Sequence, residues 1–169
     1  PVVVEEAKKV LVTLADGTTN TITDKTRQSV DDEDFSSAVY SKADLVFNGS
    51  GTLNVNAGYR NGIKSTDDLK VVSGTFNIIS NEDGIIGKDL LGIKDGKFTI
   101  KSGIDGMKST YDTDTSKGNI VITGGEFDIT ASNDGIHCNG DILISGGNLT
   151  ISSGDDGVHA DDNLQVDGG

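Results

Sequence analysis

The chain has 169 residues, a formal charge of −13, a sequence pI near 4.3 and 34 % hydrophobic residues. That apolar share supports a folded core despite the charge. The acidity would repel phosphate backbones and argues against nucleic acid as a partner. No apolar run approaches the roughly 18 residues of a membrane-spanning helix, and a lone cysteine, Cys138, excludes an intrachain disulfide or a thiolate metal cluster.

Gly is abundant (23), Pro occurs once and Trp is absent. Ile, Val, Thr, Asn and Asp supply much of the rest, a mixture that reads as short strands separated by Gly and Asx turns. In chain order, Pro1-Val2-Val3-Val4 reads as one corner of a coil. Residues 24–37, acidic through Asp31-Asp32-Glu33-Asp34, read as a lateral loop. From there the chain is periodic. An Asx-Gly-aliphatic phrase recurs at Asn61-Gly62-Ile63, Asp83-Gly84-Ile85, Asp105-Gly106-Met107, Asp134-Gly135-Ile136 and Asp156-Gly157-Val158, in steps of 22, 22, 29 and 22 residues. A second glycine, at Gly51, Gly74, Gly96, Gly125, Gly147 and Gly169, keeps the same rhythm. The long step is an insertion at 111–117, expected as a second lateral loop.

Each repeat carries three alternating segments. The first gives inward pairs such as Leu69/Val71, Leu91/Ile93, Ile120/Ile122, Ile142/Ile144 and Leu164/Val166. The second gives Leu53/Val55, Phe76/Ile78, Phe98/Ile100, Phe127/Ile129 and Leu149/Ile151, and the third one residue each: Ile63, Ile85, Met107, Ile136, Val158. Period-two alternation marks half-buried strands. Three strands per 22 residues, with no helical segment between them, predict an all-β fold: a parallel β-helix over residues 1–169, each turn stacked on the last at about 4.8 Å. The chain starts at Pro1 and stops partway into a turn, so the natural domain is expected to extend further, and open coil ends offer an oligomerisation surface.

The residues before the repeat glycine, Asn61, Asp83, Asp105, Asp134 and Asp156, form a column with carboxylates roughly 5 Å apart. Repulsion at that spacing is about 0.8 kcal/mol per pair in water, and the column itself supplies no positive charge. Glu82, Asn133 and Asp155 precede it; Asp67, Asp89, Asp161 and Asp162 follow four to five residues past the glycine. Two readings stand. Asp and Asn favour the turn before a left-handed glycine, or hard cations, Ca2+ foremost, sit between turns on these oxygens.

Two residues past the glycine a second column points outward: Tyr40, Lys64, Ile86, Lys108, His137 and His159. It reads either as a groove for a polymer, with Tyr40 stacking on a sugar and Lys64, Lys108, His137 and His159 meeting acidic or hydroxyl groups, or as an ordinary solvated face. His137 and His159 stand one turn apart, but a zinc pair lacks a third nitrogen ligand. No nucleophile elbow, P-loop or dinucleotide fingerprint occurs.

The phrases Ala38-Val39-Tyr40-Ser41-Lys42-Ala43-Asp44-Leu45, Asn48-Gly49-Ser50-Gly51-Thr52-Leu53, Asn61-Gly62-Ile63-Lys64-Ser65, Ile85-Ile86-Gly87-Lys88-Asp89 and Leu14-Ala15-Asp16-Gly17-Thr18-Thr19-Asn20, with the DGIH and DDGVHA corners, carry a resemblance. As a set they resemble the bacterial carbohydrate-binding β-helix family first catalogued as a domain of unknown function. The resemblance implies a right-handed parallel β-helix like that of pectate lyases, at the bacterial cell surface or secreted. It also implies Ca2+ along the helix and binding of cellulose and acidic plant-wall sugars such as polygalacturonate. Its calcium ligands carry over to Asp83, Asp105, Asp134 and Asp156; Asn61 departs from the pattern.

The leading expectation is an extracellular, non-catalytic carbohydrate-binding protein. A chain at −13 should repel a polyuronate, and bridging Ca2+ or the Lys64 and Lys108 patch would offset this. With three tyrosines and no Trp, a flat aromatic strip for crystalline cellulose is poorly supplied, which favours acidic glycans. The alternatives are a Ca2+-dependent pectate lyase, with Lys108 beside Asp105 and Asp134 as base, and a calcium-stiffened adhesin or stalk.

Overall fold

In the computed structural model, which describes residues 1–25, 35–111, 113, 114 and 116–169, twenty strands and no helix are found among the described residues. They form three parallel sheets of seven, seven and six strands. Each coil gives one strand to each sheet. In one coil these are Asp68–Val71, Thr75–Ser80 and Ile85–Gly87, and the next coil begins at Leu90–Ile93. Neighbouring coils pair in register, Leu69 with Leu91, Phe76 with Phe98 and Ile85 with Met107. This is a parallel β-helix, and the 22-residue repeat is one coil.

Because register is conserved from coil to coil, like side chains stack into ladders. Phe76, Phe98 and Phe127 are parallel rings with centroids 5.1 and 4.9 Å apart. Around them the Ile, Leu and Val of all three sheets form one continuous buried core from Leu14 to Ile144. In the last coil, Leu164 and Val166, expected inward, are 50 % and 62 % exposed.

The two glycine markers serve different physical needs. Gly96, between the second and third sheets, has φ 136°, which L side chains rarely adopt. Gly106 has no such φ. A Cβ there would lie 2.4 Å from Ile129 Cγ2 and 2.5 Å from the Gly135 carbonyl oxygen, so the adjacent coils meet only because the side chain is missing. The left-handed turn expected after the corner aspartates therefore belongs to the other glycine, and those aspartates need a different explanation.

The acidic stretch Asp31-Asp32-Glu33-Asp34, expected in a lateral loop, lies outside the described residues, as do Asp112 and Thr115. At the edges of the first expected loop, Asp24 already closes the strand Thr19–Asp24 and Ser37 opens Ser37–Ser41. The insertion runs between Met107–Ser109 and Asn119–Ile122, and a Lys117 N–H to Asp114 carbonyl bond of 3.1 Å folds its end back.

Candidate functional site

The corner column is a hydrogen-bond ladder. Asn61 Oδ1 accepts the backbone N–H of Asp83 (3.1 Å), and Asp83 Oδ1 that of Asp105 (3.0 Å). Asp105 Oδ1 then accepts from Asp134 (3.1 Å) and Asp134 Oδ1 from Asp156 (3.0 Å). Each Oδ1 thus satisfies a donor of the following coil that the sheet ladder does not reach. Asn61 can stand in this series because an amide oxygen accepts as a carboxylate does.

The second oxygens, Oδ2, face the outward row. Register pairs Tyr40 with Lys64, Lys64 with Ile86, Ile86 with Lys108, Lys108 with His137 and His137 with His159, so all five residues expected to meet carbohydrate share one row on the first sheet. That row supplies the charge expected to be missing. Lys108 Nζ lies 2.7 Å from Asp105 Oδ2 and 3.5 Å from Asp83 Oδ2. His137 Nδ1 is 3.3 Å from Asp105 Oδ2, and His159 Nδ1 is 3.4 Å from Asp156 Oδ2. Spacing alone could not reveal this, since it required knowing that the two columns lean together.

Titration follows from these contacts. Burial pushes the Asp105 carboxyl up, but the hydrogen bonds from Lys108, Asn133 and the Asp134 N–H outweigh it and hold the group below its ordinary value. Asp83 has fewer donors, and burial leaves it raised despite Lys108. For Lys108, burial is outweighed by Asp105 and Asp83, and the ammonium is held more firmly protonated. A lysine so held is a poorer proton acceptor than a free one.

Further along the row a cationic cleft opens. It has a volume of about 380 Å3 and is bordered by Arg60, Lys64, Lys88 and Lys108 with Glu82 and Asp83. The Lys64 ammonium, bonded to Ser36 Oγ at 3.3 Å, is pushed down by burial and then by the charges of Lys88 and Arg60. Tyr40, half-buried, packs against Phe35 with centroids 5.5 Å apart.

The remaining expected metal ligands are dispersed. Glu82 is engaged by Arg60 Nε at 3.0 Å, and Asn133 donates to Asp105 Oδ1 at 2.8 Å. Asp155 is exposed. Asp161 reaches His159 Nε2 at 3.3 Å, and the Asp162 N–H bonds the Gly140 carbonyl. Asp89 pairs with Lys117 and leaves its buried Oδ1 with no hydrogen-bond partner among the described residues. Beside it, at the turn between the first and second sheets, lies an oxygen cluster. Asp44, Asp67 and Asp68 each bring a carboxylate oxygen within 4.8 Å of the others. Burial, then the charges of Asp44 and Asp89, raise the Asp67 carboxyl. Asp44 and Asp68 went unnoticed in the sequence because they fall outside the glycine corner; only the stacking of coils brings them together.

Cys138 is structural. It ends a strand in the row's register, opposite Ser109, and its thiol donates to the Gly140 carbonyl at 3.2 Å, much as Ser41 Oγ donates to the Ala43 carbonyl. Burial pushes its thiol up to about 12.

Comparison with known proteins places this geometry. A protein of Acetivibrio thermocellus described as a carbohydrate-binding domain-containing protein is 35 % identical over 81 residues; the match covers 46 % of this chain and 28 % of that protein's length. A solved structure of a polysaccharide lyase-like protein from C. thermocellum, a gadolinium derivative, superimposes with a TM-score of 0.95 at 31 % identity. That match covers 98 % of this chain and 68 % of the other. A family model for carbohydrate-binding domain-containing proteins matches residues 1–154 and 130–169. Matched along its whole length, the chain belongs to this carbohydrate-binding domain family.

Proposed function

We propose that this protein is a non-catalytic module that binds acidic polysaccharide of the plant cell wall, polygalacturonate foremost, outside the cell or at the bacterial surface. The observation that carries the reading is the cleft of Arg60, Lys64, Lys88 and Lys108 in a chain of net charge −13. Lys64 is a partly desolvated ammonium crowded by like charges, so a carboxylate entering the cleft relieves repulsion as well as adding attraction. Successive coils repeat along the row at about 4.8 Å, which suits an extended polymer better than a small ligand. A polymer of this kind is met outside the cell, which is the basis for the location.

Calcium belongs to the same proposal. At Asp83 and Asp105 the Oδ1 atoms are committed to backbone donors and Lys108 occupies the Oδ2 side, so those residues do not fit a resident Ca2+. The all-oxygen set of Asp44, Asp67 and Asp68, with the orphaned Asp89 Oδ1 beside it, offers donors for a hard cation, which would displace Lys70 Nζ from Asp68 Oδ2 (2.7 Å) and Lys9 Nζ from Asp44 Oδ2 (3.8 Å). Bound there, Ca2+ would supply neutralising charge that ties adjacent coils together.

The test is calorimetric titration of galacturonate oligomers with and without chelator, alongside Lys64→Ala and Lys88→Ala. Each substitution is expected to weaken binding about tenfold, roughly 1.4 kcal/mol. Unchanged affinity in both would overturn the cleft assignment. Unsaturated product absorbing in the ultraviolet would instead establish a lyase, and calcium-dependent stability without glycan heat would leave an adhesin or stalk.

A further inference from the structure

We infer that Asp134, His137 and His159 form a site for a divalent transition metal of the zinc class, distinct from the glycan cleft and from the oxygen cluster. The inference starts from one oxygen. The Asp134 side chain is only 4 % exposed. Its Oδ1 is fixed by the Asp156 N–H at 3.0 Å, which locks the carboxylate. Its Oδ2 has no donor at hydrogen-bond distance among the described residues; what it faces are two imidazole nitrogens, His137 Nδ1 at 3.8 Å and His159 Nδ1 at 3.7 Å. The locked carboxylate oxygen and the two imidazole nitrogens it faces are all ligand types that zinc takes, and a cation placed among the three atoms is held by each of them.

The imidazoles are placed by the fold. His137 and His159 are direct partners on adjacent parallel strands, and their ring centroids stand 5.1 Å apart. One donor atom from each of the three residues lies within 4.8 Å of the others. A tetrahedral zinc with bonds of about 2.0–2.1 Å needs donors about 3.3–3.5 Å apart, so the site closes with shifts of a few tenths of an ångström at Asp134 and somewhat more between the rings.

A second contact sets the chemistry. Asp161 Oδ1 lies 3.3 Å from His159 Nε2, on the far side of the ring from Asp134. A carboxylate there is placed to take the Nε2 proton of a metal-bound His159, the outer-shell arrangement common to metal-ligating histidine, and the metal would replace the contact of His137 Nδ1 with Asp105 Oδ2 at 3.3 Å. Two nitrogens and one oxygen select a zinc-class ion over Ca2+, which takes oxygen donors. The His159 side chain is 41 % exposed, leaving an approach for a water as fourth ligand.

The experiment is titration of Zn2+ into the full chain in millimolar Ca2+, by calorimetry. One equivalent should bind, Ca2+ should not displace it, and His137→Gln and His159→Gln should each lose at least tenfold in affinity. Both variants are first checked for the wild-type thermal midpoint in metal-free buffer. A further readout needs no variant: wild-type protein loaded with one Cu2+ should show, by pulsed paramagnetic resonance, coupling to two imidazole nitrogens. Affinity preserved in both variants, displacement by Ca2+, or coupling to fewer than two imidazoles would each overturn the site and leave the histidines as plain hydrogen-bond donors to the carboxylates. The proposed glycan cleft is tested separately, at Lys64 and Lys88.

Discussion

The outward row on the first sheet has two halves with one backbone and opposite electrostatics. Toward the N-terminus, Lys64 and Lys88 with Arg60 open a cationic cleft. Toward the C-terminus, His137 and His159 lean on Asp105, Asp134 and Asp156. Lys108 stands at the junction, bound to Asp83 on one side and Asp105 on the other. Because each coil presents its outward residue at the same place, one substitution per coil changes what the surface holds while the core ladder beneath continues from Phe76 to Phe127. A repeated scaffold therefore separates stability, carried by the inward residues and Oδ1 ladder, from the outward row that is the proposed recognition surface.

The sharpest break of this comparison is at the junction. Asp105, 1 % exposed, serves Lys108, His137, Asn133 and the Asp134 N–H at once. Asp105→Ala takes the nearest carboxylate from Lys108 and His137 and the acceptor from Asn133 and the Asp134 N–H, and should cost about 3 kcal/mol or more in chemical denaturation. Gly106→Ala pushes the two halves apart through the Gly135 carbonyl and Ile129, with an expected loss of about 2 kcal/mol on the same assay.

A finer test contrasts Asp83→Asn with Asp105→Asn, both of which keep the Oδ1 acceptor. The Asp105 carboxyl is held below its ordinary 3.8, so its contribution is complete above the unfolded-state value and is lost as pH falls through the lower folded value. Asp83 is raised; its contribution is complete below the unfolded-state value and is lost as pH rises through the folded one. At pH 7 Asp105→Asn should therefore lower the thermal midpoint and Asp83→Asn should raise it slightly, and the Asp83→Asn gain should vanish near pH 3. Midpoints moving in the same direction at pH 7 would refute the distinction.

The smallest effect is expected from Cys138→Ser, which keeps a small donor to the Gly140 carbonyl and should cost under about 1 kcal/mol. The wild-type thiol, raised to about 12, should resist thiol reagents until the chain unfolds. Rapid labelling of native protein would show that the coil opens locally.

The β-helix, its 22-residue coil and its core ladders were legible in the sequence because identical register repeats the same inward residue at a fixed interval. The outward row was legible for the same reason: Tyr40, Lys64, Lys108, His137 and His159 fall two residues past each glycine or its equivalent. What the aspartates do was not. Their number suggested cations between turns; that Asp105 Oδ1 meets a backbone donor and Oδ2 a lysine depends on side-chain direction, which spacing does not carry. Asp44 and Asp68 fall outside the glycine corner and meet Asp67 at a turn between sheets.

Periodicity by itself determined the architecture, since a hydrophobic pattern repeating at one interval has one way to bury itself. The tertiary structure decided the chemistry of the surface. Whether neighbouring columns lean together or apart depends on angles and distances of about an ångström that leave no trace in spacing. Those distances pair Lys108 with Asp105, leave Lys64 crowded in its cleft and set Asp134 Oδ2 between two imidazoles.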